Sequence, residues 1–231
     1  MKKNRDLSLL EGDQSTWKNW LKIWQISREL NRGFRSFRGL SPCITIFGSA
    51  KFDSNHKYYQ LAHATALALG NAGYNIMTGG GPGIMEAANK GAQEAGVISI
   101  GCNIQLPSEQ KPNPYLDRWS TFDHFYVRKL MLLKFSCGFV ILPGAFGTLD
   151  EIFETLNLMQ TGKILHFPLV LMGCDYWENM RMFMQGKMLS EGTIDHDGIN
   201  KMYFTDDPEQ TVSYINAKID SDFDVRKIVP E

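Results

Sequence analysis

From Pro42 onward, short apolar runs alternate with segments of helical periodicity, and this alternation is the feature that most constrains the fold. The apolar runs predict five strands, separated by helices and by one proline-containing loop over 102–120. The predicted strands are 43–47, 74–78, 97–101, 138–142 and 167–172, and the predicted helices are 57–72, 84–95, 122–135, 148–159, 175–189 and 207–219. This order indicates right-handed crossovers and a parallel sheet that is covered on both faces. The sequence therefore predicts an α/β fold with a Rossmann-like, doubly wound parallel sheet in a single domain.

Residues 1–40 differ from the rest of the chain because they hold nine Lys and Arg against four Asp and Glu. Trp17, Trp20 and Trp24 recur at helical spacing, and Ser15 is a suitable N-cap. We therefore expect an N-terminal helical extension over 1–40, followed by the main domain over 41–231. Two interpretations stay open for its tryptophan stripe. It packs on the main domain or on a neighbouring subunit, which we favour, or it touches a membrane or a nucleic acid.

Composition argues against several classes of protein. The net charge of −1 gives no general reason to bind nucleic acid or an anionic membrane. The four cysteines are scattered, so the sequence predicts no metal site and buried reduced thiols. Because neither a signal peptide nor a membrane span is recognisable, we expect a cytoplasmic protein.

Three loops follow predicted strands and are expected at the carboxyl edge of the sheet, where ligands of parallel α/β folds bind. Their candidate ligand-binding residues are Ser49 in the first loop, Gly79, Gly80, Gly81 and Gly83 in the second, and Gly144, Ala145, Gly147 and Thr148 in the third. Glycines let backbone N–H groups approach a phosphate, and the following helix adds its positive end. The first loop lacks G-x-G-x-x-G, and the chain lacks a P-loop motif. A mononucleotide is therefore a better ligand than NAD or ATP.

Charged residues near these loops indicate a reaction. Arg128 and Lys129 lie on the helix before the fourth predicted strand, while Glu151 and Glu154 share one face of the next helix. Such a carboxylate beside a phosphate site suits cleavage of an N-glycosidic bond, which passes through an oxocarbenium-like ribose. The alternative is that Glu151 is only a favourable acid in the first turn of a helix.

Two stretches, GGGPGIMEA over 79–87 and PGAFGTLDE over 143–151, resemble the signatures of the Lonely Guy family. Members of this family are cytokinin riboside monophosphate phosphoribohydrolases, often labelled lysine decarboxylases. The resemblance extends from about Cys43 to Asp207, and it is nearest to the longer bacterial branch of the family. It implies hydrolysis of a purine nucleoside 5′-monophosphate, AMP or its N6-prenylated form, to free base and ribose 5-phosphate.

The resemblance also implies residue roles. Arg128 and Glu151 match the catalytic pair, Lys129 matches a ligand contact, and Glu109 matches a substrate-contacting glutamate. It implies a homo-oligomer, dimeric or larger, with helices near the site in the interface, and no metal or organic cofactor.

Two positions depart from the family pattern. Ala145 stands where the family has a second glycine, and a Cβ there costs about 1 kcal/mol or more if the position needs a positive φ. Asn157 replaces a threonine that follows the glutamate. These departures keep an alternative open, a nucleotide-binding regulatory protein with little or no hydrolase activity. A third hypothesis is an interaction protein that works through the N-terminal helix.

The sequence does not decide between AMP and a prenylated substrate, because Phe122, Tyr126 and Met131 could each line the space around N6. We reject lysine decarboxylation, since no lysine stands out as a Schiff-base site.

Overall fold

The structure, a computed structural model, describes residues 15–41, 43–106, 111–164 and 167–222. The described strands are β1 Cys43–Phe47, β2 Asn75–Thr78, β3 Ser99–Ile104, β4 Arg118–Phe122, β5 Ser136–Ile141, β6 Leu169–Leu171 and β7 Met202–Phe204. The described α-helices are α1 Thr16–Ser36, α2 Lys57–Asn71, α3 Ile84–Glu94, α4 Phe125–Lys134, α5 Phe146–Gln160, α6 Cys174–Phe183, α7 His196–Asn200 and α8 Pro208–Asp222. A π-helix over Met184–Met188 continues α6.

The strands form one parallel sheet in the order β4-β3-β2-β1-β5-β6-β7. Alternate residues of each central strand point to opposite faces, as in β1, where Phe47 joins one hydrophobic cluster and Ile46 joins the other. Helices cover both clusters, so the predicted doubly wound fold is confirmed. The strand order reverses between β1 and β5, which places the expected ligand crevice beyond the carboxyl ends of these two strands.

All five predicted strands are present, although the third runs over Ser99–Ile104 and not over 97–101. The prediction of a continuous loop over 102–120 is wrong, because this stretch includes the end of β3 and the start of β4. The strands β4 and β7 were not predicted. Both lie at the edges of the sheet, where a strand is covered incompletely and needs no continuous apolar run.

The N-terminal helix α1 begins after Ser15, as predicted, but its tryptophans do not pack on the chain's own domain. Trp17, Trp20 and Trp24 are 71%, 62% and 56% exposed. That part of the expectation is wrong, since α1 packs on the domain through the opposite end of the helix, where Glu29 and Gly33 are buried. Although α1 has 21 residues, neither it nor another helix in the described ranges is long and apolar enough to cross a membrane.

Candidate active site

Three loops meet beyond the carboxyl ends of β1, β2 and β5, and the backbone of Ser49 joins them. The Ser49 N–H donates to the Pro143 carbonyl at 2.9 Å, and the Ser49 carbonyl accepts from the Ile84 N–H at 3.0 Å. Ser49 therefore holds the loop after β1 against the two glycine-rich loops that the sequence predicts to bind a phosphate.

The first glycine loop, residues 79–83, follows β2 and leads into α3. Gly80 and Gly83 have φ angles of +71° and +69°, which side chains rarely permit. A Cβ on Gly83 would also lie 2.5 Å from the Ser49 carbonyl oxygen. This loop therefore needs glycine both for its backbone conformation and for its close approach to Ser49.

Buried polar side chains hold this first loop from behind. The Thr78 hydroxyl donates to Asn89 Oδ1 at 2.6 Å and accepts from the Gly80 N–H at 2.9 Å. Asn113 Nδ2 donates to the Gly81 carbonyl at 3.0 Å and to Asn89 Oδ1 at 2.9 Å. Sequence reasoning missed this network, because Asn113 comes from the proline-containing segment and no local pattern connects it to the glycines.

The second glycine loop, residues 143–148, follows β5 and forms the start of α5. Gly144 is required for close packing, since a Cβ there would overlap the Thr148 side chain. Its carbonyl accepts from the Tyr176 hydroxyl at 2.9 Å, a contact that the sequence did not predict. Ala145 has a φ of −92°, so the concern that its Cβ strains the backbone is removed. A Cβ on Gly147 would meet open space.

Arg128 lies in the first turn of α4, between the first glycine loop and β3. Its Nε donates to the Cys102 carbonyl at 2.9 Å. Its guanidinium lies against Gly79, where a Cβ would come within 2.5 Å of Nη2. The missing side chain at Gly79 therefore makes room for the arginine at the ligand crevice.

Glu151 is buried, with only 5% of its surface exposed. Since α5 begins at Phe146 and has no acidic residue in its first turn, Glu151 is not a first-turn acid, which removes the structural alternative. The pKa of Glu151 is raised to about 7, mainly because the carboxyl group is buried; Arg128 and Lys129 lower it by less than burial raises it, and Glu154 and Asp150 add smaller increases. A carboxyl group with this pKa can exist in either protonation state near neutral pH.

Lys129 connects α4 to α5 through two ion pairs. Its Nζ lies 2.8 Å from Asp150 Oδ2 and 3.1 Å from Glu154 Oε2. Burial lowers the pKa of Lys129, but the hydrogen bonds to Asp150 and Glu154 outweigh it and leave the pKa raised. The amine is therefore held as an ammonium ion beside Glu151.

A cavity of about 240 Å³ opens beside Glu151, between α4 and α5. It is lined by Tyr126, Lys129, Leu130, Leu133, Phe139, Glu151, Glu154, Thr155 and Leu158. The sequence left three candidates for lining the space around the N6 atom of the base. Tyr126 faces this cavity, whereas Phe122 and Met131 are fully buried in the core. Helical spacing relates Tyr126 to Leu130 and Leu133, but the sequence alone could not show which face of α4 meets α5.

Asn157, a predicted substrate contact, is exposed on α5 and does not line the cavity. Glu109, the predicted substrate-contacting glutamate, lies outside the described residues. Within the described ranges, no group of three or more His, Cys, Asp or Glu is arranged to hold a metal ion.

The overall fold is similar to solved structures of molybdenum cofactor proteins. One from Rippkaea orientalis, a molybdenum cofactor binding protein, has a TM-score of 0.57 and 20% identity, covering 78% of this chain and 99% of that chain. A molybdenum cofactor carrier protein from Chlamydomonas reinhardtii has a TM-score of 0.55 and 20% identity, covering 79% of this chain and 100% of that chain. At this identity the likeness supports the fold alone.

Curated relatives carry enzyme names. A cytokinin riboside 5′-monophosphate phosphoribohydrolase of Arabidopsis thaliana is 27% identical over 154 residues, which is 65% of this chain and 71% of the relative. A pyrimidine/purine nucleotide 5′-monophosphate nucleosidase of Escherichia coli is 29% identical over 144 residues, which is 56% of this chain and 32% of that longer relative.

The family described as "possible lysine decarboxylase" matches residues 85–215, which is more than half of the chain. This range contains Arg128, the whole second glycine loop and Glu151. The protein therefore belongs to that family, and within it to the Lonely Guy proteins, which its two glycine-rich motifs resemble.

Proposed function

We propose that this protein hydrolyses the N-glycosidic bond of a purine nucleoside 5′-monophosphate, releasing the free base and ribose 5-phosphate. The observation that carries the proposal is the buried Glu151, with a pKa of about 7, on the helix that follows the second glycine loop and in electrostatic interaction with Arg128, which lies against Gly79 of the first glycine loop. The relatives named as phosphoribohydrolase and nucleosidase support the same reaction class.

In this proposal the 5′-phosphate binds at the second glycine loop. The first N–H groups of an α-helix have no intrahelical acceptor, and the helix dipole favours an anion there. Gly144, Ala145, Gly147 and Thr148 surround this end of α5, which has no acidic side chain in its first turn to repel the phosphate. The first glycine loop and Ser49 form the adjoining wall of the crevice.

Glu151 then acts on the ribose. Departure of the base leaves positive charge on the ring, and an ionised carboxylate in a buried site stabilises this charge more strongly than one in water. The same carboxylate can orient a water molecule that completes the hydrolysis. Arg128, fixed by Cys102 and Gly79, offsets the negative charge that accumulates where the carboxylate and the phosphate approach each other.

Lysine decarboxylation does not fit this site. A Schiff-base lysine needs a neutral amine, and hence a lowered pKa. Lys129, the lysine beside Glu151, is instead paired with Asp150 and Glu154, and its pKa is raised.

One observation favours a second candidate, a nucleotide-binding regulatory protein without hydrolase activity. The methyl group of Ala145 is exposed at the N-cap of α5, where the phosphate would approach the backbone. If it holds the phosphate away from the helix, the ribose is displaced from Glu151 and binding survives without cleavage.

The experiment incubates the purified protein with AMP and with isopentenyl-AMP, and follows free base and ribose 5-phosphate by chromatography. We expect release from at least one nucleotide and its loss in Glu151→Gln. Asp150→Asn is the matched control, because it removes a neighbouring but exposed carboxylate and leaves Lys129 paired with Glu154.

The ratio of the two rates ranks the substrates, since each added methylene contributes about 0.8 kcal/mol when buried. Nucleotide-dependent heat stabilisation without base release would establish the binding protein in place of the enzyme. Equal activity in Glu151→Gln and the parent would reject the assigned role of Glu151.

We also propose a homo-oligomer, dimeric or larger, in which α4 and α5 take part in the interface. Exposed apolar side chains on these helices support it, namely Phe125, Tyr126, Leu130 and Phe153. Light scattering measures the mass directly.

We further propose a cytoplasmic location, with residues 1–40 as a helical extension of a nucleotide-binding domain over 41–231. The four cysteines, all unpaired, agree with a reducing compartment.

A further inference from the structure

We propose that Glu29, in the N-terminal helix α1, is a positioning residue for catalysis, because it fixes the start of α4, the helix that carries Arg128 and Lys129. The inference rests on the proposed function, in which Arg128 acts at the reacting nucleotide. It assigns a role in the active site to a part of the chain that the family match, which begins at residue 85, does not include.

The carboxylate that caps the start of α4 belongs to Glu29, a residue of α1 that is remote in sequence. His124, the N-cap residue, makes no side-chain capping hydrogen bond, and the first turn of α4 has no acidic residue. Glu29 Oε1 instead accepts from the backbone N–H of Asp123 at 2.6 Å and from that of His124 at 3.1 Å. A negative charge at this end of a helix is favourable, since it satisfies N–H groups and opposes the helix dipole.

The same carboxylate holds the His124 side chain. Glu29 Oε2 lies 2.6 Å from His124 Nδ1, and both residues are only 5% exposed. With both of its oxygens engaged, the Glu29 carboxyl group connects the backbone and the ring of His124. A buried carboxylate with three partners has one well-defined position, because any displacement leaves a charge without partners away from water.

Packing along the same face of α1 supports this arrangement. Gly33, one turn after Glu29, lies so close to α4 that a Cβ would come within 2.7 Å of Met131 Sδ. Phe37, the C-cap residue of α1, makes ring contacts with Phe122 at the end of β4 and with Phe135, the C-cap residue of α4. Residues four apart share one face of a helix, so Glu29 and Gly33 lie on the face of α1 that rests on α4.

A single hydrogen bond links this cap to the candidate catalytic arginine. The Arg128 N–H donates to the His124 carbonyl at 3.1 Å, which makes His124 the acceptor for the turn on which Arg128 stands. Without the Glu29 carboxylate, the first turn of α4 loses its cap, and Arg128 loses its fixed position between Cys102 and Gly79. Lys129 follows directly in the same turn.

The test compares Glu29→Ala and Glu29→Gln with the parent protein in kcat, KM and melting temperature, using the nucleotide that the parent hydrolyses. We expect kcat to fall about tenfold to a hundredfold in Glu29→Ala, and less in Glu29→Gln, which retains one acceptor. We expect KM to change by less than about threefold, because the phosphate loops are untouched.

Two controls separate positioning from general destabilisation. Gln25→Ala, at an exposed site one turn earlier in α1, should match the parent in every measurement. Ile215→Val weakens the hydrophobic cluster on the opposite face of the sheet, and it should lower the melting temperature without lowering kcat. If Glu29→Ala does not fold, the comparison with the parent protein is made with Glu29→Gln alone. Parental kcat in a folded Glu29 variant, or an equal loss of kcat in Ile215→Val, would overturn the proposal.

Hydrogen exchange provides a measurement that does not depend on hydrolysis. In Glu29→Ala we expect faster exchange of amides over 123–130, with the amides of α3 unchanged. If the parent releases no base, the proposed function fails, while positioning is still judged by this exchange. Unchanged exchange at the start of α4 would overturn the positioning role whatever the activity.

Discussion

The two glycine-rich loops of this protein have similar composition, but glycine serves a different purpose in each. In the loop over 79–83, Gly80 and Gly83 adopt positive φ angles, and a buried asparagine network holds the backbone. In the loop over 143–148, no residue has a positive φ, and Gly144 is required only because the Thr148 side chain lies against it.

This difference explains why an alanine is accepted in the second loop. Ala145 occupies an extended conformation that any residue can adopt, whereas an alanine at Gly83 would be strained. The second loop instead leads to a buried carboxyl group, Glu151. The first loop therefore lowers the stability of the fold through positive φ angles if glycine is replaced. The segment after the second loop lowers it because the Glu151 carboxyl group is buried.

The largest expected effect is that of Gly83→Ala in the first glycine loop, and Gly147→Ala in the second glycine loop is its comparison. Gly83→Ala should lower the free energy of unfolding by about 3 kcal/mol or more, because it combines a positive φ with a clash against the Ser49 carbonyl. Gly147→Ala, in open space at the start of α5, should change it by less than about 1 kcal/mol. Urea titration measures both. Similar losses in the two variants would contradict the comparison.

The electrostatic cost can be isolated with Glu151→Gln. The pKa of Glu151 rises from an ordinary value of 4.5 to about 7 in the folded protein, so the folded state binds the proton more tightly than the unfolded state. The free energy of unfolding therefore falls as the pH rises from about 4.5 to 7, and it stays low above that. Glu151→Gln removes this loss and should be more stable than the parent at pH 8 by up to about 3 kcal/mol, with little difference at pH 4.5.

Melting temperatures of the parent and of Glu151→Gln at pH 4.5 and at pH 8 test the direction of this predicted change. Glu178→Gln, at an exposed site on α6, is the matched control and should show no such change between the two pH values. A Glu151→Gln variant that is less stable than the parent at pH 8 would mean that burial does not dominate at this site.

The same ionisation should govern the reaction. If the carboxylate form of Glu151 stabilises the ribose cation, kcat/KM should rise about tenfold per pH unit below pH 7 and level off above it. Initial rates of base release between pH 5 and pH 9 measure this profile. A rate that is independent of pH through this range would show that ionisation of Glu151 does not control the chemical step.

Gly79→Ala tests the contact between the first loop and Arg128. The added Cβ meets Arg128 Nη2 and Met85 Sδ, the far ends of two flexible side chains, so folding should survive while the arginine moves. We expect kcat to fall about tenfold. In an Arg128→Ala background the same change should have no further effect, because the shared partner is already gone. Additive losses would show that Gly79 acts independently of Arg128.

Ala145→Gly should have the smallest effect. Since the backbone is not strained at Ala145, the variant should alter kcat/KM by less than about threefold and stability by less than about 1 kcal/mol. A large gain in activity would instead show that the methyl group holds the phosphate away from α5, and it would favour the non-hydrolysing interpretation of the natural protein.

Local patterns were sufficient for much of this architecture. The central strands β1, β2, β5 and β6 were predicted because they are buried on both faces and are therefore continuously apolar. Edge strands carry no such pattern, which is why residues 118–120 were predicted as loop and Phe122 as the start of a helix, although both belong to β4. Contacts between distant residues leave no local pattern, and the capping of α4 by Glu29, 95 residues away from His124, is one of them.

The sequence by itself determined the order of β1, β2, β3, β5 and β6 and the three loops at the carboxyl edge of the sheet. These depend on hydrophobic periodicity and on glycine, which act over a few residues. The site roles of Arg128 and Glu151 stay predictions, drawn from their positions near the loops and from the resemblance to the Lonely Guy family. Tertiary structure alone decided the burial of Glu151 and hence its raised pKa, the extended conformation of Ala145, the exposure of the tryptophans on α1, and the role of Glu29. Each of these depends on which remote segments pack together, and the free energy of such contacts is set by burial and geometry that no local pattern records.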